Sequence, residues 1–144
     1  YTSPPLDMAL FIAGKVNAVL HAATSAVDTD FTVKLCDVWS DGTSINITEG
    51  IIRGRYRNSL AHEKLLEPEK IYRFAISAGV ACHRFEAGHS IRVEVSSSNF
   101  PHFDRNPNNG KPFGEDSELV TASQTVFHDV ARPSYIELPV VAGG

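Results

Sequence analysis

The chain has two cysteines, one methionine and one tryptophan in 144 residues. Cys36 and Cys82 lie far apart in alternating apolar runs, with no Cys or His at zinc-like spacing, which argues against both a disulfide scaffold and a zinc site. Two buried free thiols are the expectation, and a disulfide between them is the other arrangement the pair allows. Free thiols fit a reducing compartment, so a cytoplasmic location is expected, with secretion of a longer parent left open. No apolar run approaches the length of a membrane-spanning helix and no charged, then apolar, leader opens the sequence; no membrane partner is expected. Lys and Arg number 13 against 17 Asp and Glu, a net charge of −4, which is the wrong sign for a protein whose affinity comes from phosphate contacts. No nucleic-acid partner is expected. Helical periodicity is scarce too: the best segment is Leu60 to Leu66, after Asn58-Ser59, where a short turn of helix is predicted before Pro68.

Period-two alternation is abundant. It recurs at Val16, Ala18, Leu20; at Phe31, Val33, Leu35; at Tyr72, Phe74, Ile76; at Ile91, Val93, Val95; at Ala122, Gln124, Val126; and at Ile136, Leu138, Val140. Each run reads as a half-buried strand. Turn signals separate the runs: Ala13-Gly14, Asp41-Gly42, Glu67-Pro68, Ala87-Gly88, Asn108-Asn109-Gly110 and Arg132-Pro133. About eight strands around one irregular segment, Asn99 to Glu118, predict an all-β fold, a jelly-roll-like, galactose-binding-like antiparallel sandwich. With no repeat or linker, residues 1–144 read as one domain. Leu6 to Ile12 already reads as a strand and Tyr1 is no initiator methionine, so the chain is expected to be a fragment of a longer polypeptide.

Catalytic signatures are weak. An α/β-hydrolase nucleophile occupies a G-x-S-x-G elbow, whereas Gly88-His89-Ser90 and Gly42-Thr43-Ser44 lack the second glycine and a following helix. Ser90 is expected to start a strand. Six histidines (His21, His62, His83, His89, His102, His128) are scattered singly, and the loop pair His102 and Asp104 resembles a hydrogen-bonding couple more than a cation site. Asp104, Asn106 and Asn108 suggest calcium, but Arg105 and Pro107 interrupt them and no closing glutamate follows. No metal is assigned. Arg53, Arg55 and Arg57 would share one face of a strand; phosphate binding is weighed against a solvated or carboxylate-paired face, which the negative charge favours. A sugar-binding jelly roll is the alternative function, although Trp39 and the dispersed tyrosines form no evident platform.

Three stretches are chemically dense: Ser25-Ala26-Val27-Asp28-Thr29-Asp30-Phe31-Thr32-Val33-Lys34-Leu35, Glu49-Gly50-Ile51-Ile52-Arg53-Gly54-Arg55-Tyr56-Arg57, and the run from Ser96 to Gly110. In the last, Asn99, Asp104, Arg105 and Asn106 are expected to staple irregular backbone, since buried polar groups left unpaired cost about 1–3 kcal/mol each. Asp28 and Asp30 are the expected partners of Arg105, whose planar fork suits a carboxylate. Together the stretches resemble the C-terminal β-sandwich domain of the cocaine esterase, X-Pro dipeptidyl-peptidase and α-amino-acid ester hydrolase group of serine hydrolases. The resemblance runs over nearly the whole chain. It implies an accessory role beside an α/β-hydrolase catalytic domain of the same polypeptide, whose Ser-His-Asp triad is absent here, and it implies no cofactor. It also implies that Leu20 and His21 approach the substrate pocket as part of its wall, that Lys111-Pro112-Phe113-Gly114 varies with pocket shape, and that the Arg53–Arg57 face packs on the missing domain. Separation from that domain would expose an apolar patch, and self-association is expected to cover it.

Overall fold

The computed structural model describes residues 1–112, 114 and 117–141. Among the described residues seven strands form two antiparallel sheets that pack as a jelly-roll-like sandwich: β1 (Leu10–Thr24), β2 (Asp30–Val38), β3 (Ser44–Arg53), β4 (Tyr72–Phe85), β5 (Ser90–Ser96), β6 (Gln124–Phe127) and β7 (Tyr135–Glu137). One sheet has the order β4-β1-β6, with β7 also on β1; the other has the order β3-β2-β5. The alternating runs read from sequence fall on these strands, except that Ala122 precedes β6 and Leu138 and Val140 lie beyond β7, because each can bury one face against the facing sheet.

The core fills the space between the sheets. At one end Ala18, Leu20 and Ala22 of β1 meet Phe31 and Val33 of β2 and Phe74 and Ile76 of β4. The Phe31 and Phe74 rings are 4.8 Å apart. At the other end Ile12 and Val16 pack with Leu35, Ala78, Ala81 and Phe85.

A bulge joins the two ends. Lys15 pairs with Val80 and Asn17 with Ser77, so Ala78 and Gly79 together oppose Val16. Gly79 has φ +84°, the left-handed conformation that glycine adopts at least cost, and the inserted residue shifts the inward phase of β4 from Phe74, Ile76 and Ala78 to Ala81, His83 and Phe85. Without that shift Phe85 would point to solvent.

The sandwich is closed on one long edge. β3 crosses β4 so closely that a Cβ on Gly50 would lie 2.0 Å from the Ser77 carbonyl oxygen. The Thr48 hydroxyl donates to the carbonyl oxygen of Ala78 across the same contact. Among the described residues the opposite edge, between β5 and the β6–β7 strands, has no strand pairing.

Four expectations are corrected. Leu60 to Leu66 forms no helix; a bend at residues 60–62 leads into irregular chain tied by Lys64 N–H to the Arg55 carbonyl (2.8 Å) and Leu66 N–H to the Val27 carbonyl (2.8 Å), tertiary bonds that override local propensity. The only helical element among the described residues is the 3₁₀ turn Gly54–Tyr56. Ala13-Gly14 lies inside β1, and that strand begins at Leu10 instead of Leu6. Both cysteines are free, but only Cys36 is buried: Cys82 points outward from β4 in the phase opposite Ala81 and His83.

Candidate functional site

The three dense stretches meet in one buried polar network. Asp28, immediately before β2, is 0% exposed and accepts bonds from the Arg55 backbone N–H (2.9 Å), Arg55 Nε (2.8 Å) and Asn106 Nδ2 (2.9 Å). Asp30, at the start of β2, receives Arg53 Nε (3.1 Å) and Nη2 (3.2 Å) as a fork, plus Asn106 Nδ2 (2.8 Å). Arg55 uses its remaining donors on Glu63 Oε2 (3.1 Å) and the Lys111 carbonyl (3.0 Å). Two aspartates thus face two arginines, and one amide bridges the carboxylates. A planar guanidinium suits this task because its donors are fixed in direction and always charged.

Glycine makes the geometry possible. β3 ends at Arg53, and Gly54 turns the chain under the Thr29 carbonyl, to which its N–H donates at 2.7 Å. A Cβ at Gly54 would come within 2.9 Å of that oxygen and 2.8 Å of Leu66. The turn takes Arg55 out of strand phase and buries it to 3% exposure. Arg53, Arg55 and Arg57 therefore do not share a face: Arg53 lies on Asp30, Arg55 goes inward, and the Arg57 guanidinium covers the Tyr72 ring at 4.4 Å. Burial alone would lower the Arg55 pKa, but the hydrogen bond and charge of Asp28, then Glu63, outweigh it and hold the guanidinium above its ordinary value. For Asp30 burial wins: its carboxyl is raised, against the lowering effect of Arg53 and Asn106.

The loop after β5 is stapled from several directions. Asn99 Nδ2 donates to Glu49 Oε2 (3.1 Å), and His102 Nε2 lies 3.2 Å from the other oxygen of that carboxylate. Asn106 Oδ1 accepts the Asn108 N–H (2.9 Å), while the Asn108 and Asn109 amides reach the carbonyls of Val120 and Glu118, each at 2.9 Å. Arg105 does not meet Asp28 or Asp30. It is exposed, with its guanidinium 4.9 Å from the Phe100 ring, because Arg55 and Arg53 already occupy both carboxylates. Asp104 is likewise exposed. Among Lys111 to Gly114, Phe113 lies outside the described residues.

A second polar cluster closes the far end of the sandwich. Asp37, inward from β2, accepts bonds from His83 Nε2 (3.0 Å) and His89 Nδ1 (2.9 Å), and the Trp39 ring stacks on His89 at 5.9 Å. Ser90 opens β5, as a strand start should.

Leu20 and His21 face opposite sides of β1. Leu20 lines an apolar groove of about 250 Å³ at the open edge, with Val93, Val95, Val126, Tyr1 and His128 among its walls. The backbone N–H of His21 donates to the Ser134 hydroxyl (2.9 Å), and its Nδ1 lies 2.9 Å from the Pro133 carbonyl. Its cross-strand partner is Arg73. Arg73 also borders, with Asn17, Val19, Ala75, Ser77 and Glu137, a shallow hollow of about 340 Å³ that His21 does not line. Side chains at neighbouring strand positions diverge, so one pocket cannot take both residues as wall.

Residues 1–137 match the family described as the X-Pro dipeptidyl-peptidase C-terminal non-catalytic domain. The chain belongs to this family. Cocaine esterase from Rhodococcus sp. (strain MB1 Bresler) is 41% identical over 143 residues, covering 98% of this chain and 25% of the esterase. An α-amino acid ester hydrolase superposes with a TM-score of 0.92 at 36% identity, over 98% of this chain and 25% of that one. An aminopeptidase from a marine sediment archaeon, Thaumarchaeota archaeon, gives a TM-score of 0.93 at 35% identity, over 99% of this chain and 25% of its own. This X-Pro dipeptidyl-peptidase C-terminal domain spans about a quarter of the length of these relatives.

Proposed function

We propose that this chain is the accessory β-sandwich of a serine hydrolase acting on esters or X-Pro amides, where it stabilises the α/β-hydrolase core and forms part of the substrate-pocket wall. The observation that carries the reading is the match to a non-catalytic domain over residues 1–137, in a chain spanning a quarter of three hydrolytic relatives. The absence of G-x-S-x-G from the sequence supports it. The full open reading frame should carry that elbow upstream of Tyr1. The 144-residue chain should fold and leave p-nitrophenyl esters and X-Pro p-nitroanilides intact. Turnover abolished by Ser90→Ala would overturn the non-catalytic assignment.

Within that reading the two pocket-wall residues divide their work. Leu20 is a core residue at 3% exposure, whereas His21 lies on the opposite face, paired across the sheet with Arg73, which borders the shallow hollow. His21 is the wall, and Leu20 supports it from behind. His21→Phe in the full-length enzyme should lower the melting temperature by no more than about 5 °C, since the half-buried ring keeps its packing and loses one hydrogen bond to the Pro133 carbonyl, worth about 1 kcal/mol. It should shift kcat/KM several-fold between bulky and small acyl groups. An equal effect on every substrate, or none, would return His21 to packing.

A further inference from the structure

His21 sits in the middle of a row that crosses the outer face of the four-stranded sheet. It pairs with Arg73 of β4 on one side and with Phe127 of β6 on the other, and residues directly opposed across a ladder point to the same face. The Arg132 guanidinium covers the Phe127 ring at 4.3 Å, so the row carries a cation at each end. The two are not equivalent. Arg132 is held by Asp129, with Nη2 at 2.6 Å and Nε at 2.9 Å from Oδ2. Arg73 is exposed, and no described residue accepts a hydrogen bond from its guanidinium or forms an ion pair with it.

The surroundings leave that guanidinium open to a ligand. Ala75, two residues along β4 on the same face, is too small to cover it, and the hollow bordered by Arg73, Ala75, Asn17 and Ser77 opens beside it. Glu137, which borders the same hollow, pairs with Asn17, four residues along β1 from His21, a separation of about 13 Å at strand rise. That exceeds the Debye length of about 8 Å at physiological salt, so Glu137 does not neutralise Arg73. The His21 ring is committed elsewhere. A carbonyl oxygen only accepts, so the proton shared with Pro133 belongs to Nδ1, and Nε2 of the neutral ring is left as an acceptor. Arg73 is the donor that this row offers to an anionic group.

We propose that Arg73 is a specificity-determining residue of the parent hydrolase: its guanidinium binds a carboxylate at the far end of the substrate's acyl group, so acyl groups ending in a carboxylate are preferred over neutral ones of the same size. The inference rests on the reading that His21 forms part of the pocket wall and meets the acyl group. Directly opposed residues hold their Cβ atoms about 4.5–5.5 Å apart, so an acyl group that touches His21 has the Arg73 fork beside it. Two parallel N–H donors match the two oxygens of a carboxylate, whereas a carboxamide of equal shape offers one oxygen and no charge.

Steady-state kinetics of the full-length enzyme test this with two p-nitrophenyl esters of one size, the half-ester of adipic acid and its adipamate, in which a carboxamide replaces the carboxylate. The parent should favour the adipate in kcat/KM by about tenfold or more, the range of hydrogen bonds to charged groups. Arg73→Gln should bring the ratio to about one, with the loss appearing in KM for the adipate, because the contact is made equally before and during acyl transfer. Arg73→Lys should restore part of the ratio, since the charge returns without the fork, and salt at about 1 M should shrink it in the parent. Arg84→Gln, a change at the far end of β4 on the same outer face, should leave the ratio as it was. A parent ratio of one or below, or a preference for the adipate that survives Arg73→Gln, overturns the assignment. His21→Phe then locates the failure: if it still separates bulky from small acyl groups, the wall stands and Arg73 alone drops out of it. If it is silent as well, the pocket-wall reading falls too.

Discussion

Asp28→Ala should destabilise the domain by about 3–5 kcal/mol, the cost of removing one partner from a buried ion pair. Small domains are stable by only about 5–15 kcal/mol, so the variant should lose about a fifth or more of its folding free energy. The reason is the number of groups it strands at once. Asp28 accepts the Arg55 backbone N–H, the Arg55 guanidinium and the Asn106 amide, all in a space from which water is excluded. Arg55→Met should cost less than Asp28→Ala, because the methionine stem keeps much of the packing and Asp28 retains two of its three donors. The paired change Asp28→Leu with Arg55→Met should recover part of the loss, since an apolar pair leaves neither charge uncompensated. Urea unfolding of these variants and the parent measures this, with Asp28→Leu alone added to close the double-mutant cycle against the paired change. A loss under about 1 kcal/mol for Asp28→Ala, the range of exposed pairs, would show that the network does not hold the three stretches together.

Most of the fold was legible and most of the network was not, for one physical reason. Strand burial is a local property: Phe31, Val33 and Leu35 alternate with polar neighbours, and the facing sheet needs no further specification to bury them. Partner choice among charges is long-range. Asp28 and Asp30 read as carboxylates awaiting a guanidinium, but the one expected there was Arg105 of the third stretch, and Arg55 and Arg53 of the second take those places. The decisive signal was Gly54. A glycine between two arginines at the end of an alternating run marks a place where strand phase can break, and here it sends Arg55 inward while leaving Arg53 on the sheet. The same blindness to distant bonds made Leu60 to Leu66 look helical, where bonds to Arg55 and Val27 hold it in an irregular path. Leu20 and His21 show the limit from the other side: alternation alone put Leu20 inward, and the structure adds that His21 faces Arg73 and Pro133.

Gly50→Ala should cost roughly 3 kcal/mol, the upper end of overpacking penalties, although its backbone conformation is open to alanine. The added methyl carbon would stand 2.0 Å from the Ser77 oxygen, 2.8 Å from the Ser77 carbonyl carbon and 2.9 Å from the Ala78 Cα. All three are backbone atoms of β4, pinned by that strand's ladder with β1, so no side chain can rotate out of the way. β3 must instead withdraw, breaking the Thr48 bond to Ala78 and opening the closed edge of the sandwich. Gly42→Ala is the informative comparison. Gly42 has φ +89° with nothing within 4 Å of its Cβ position, so alanine there meets only dihedral strain of about 1–2 kcal/mol. Gly50→Ala should therefore lower the unfolding midpoint further than Gly42→Ala, and hydrogen exchange at β3 amides should accelerate only in the former. Equal midpoints, or a larger loss at Gly42, would mean that β3 and β4 do not meet backbone to backbone.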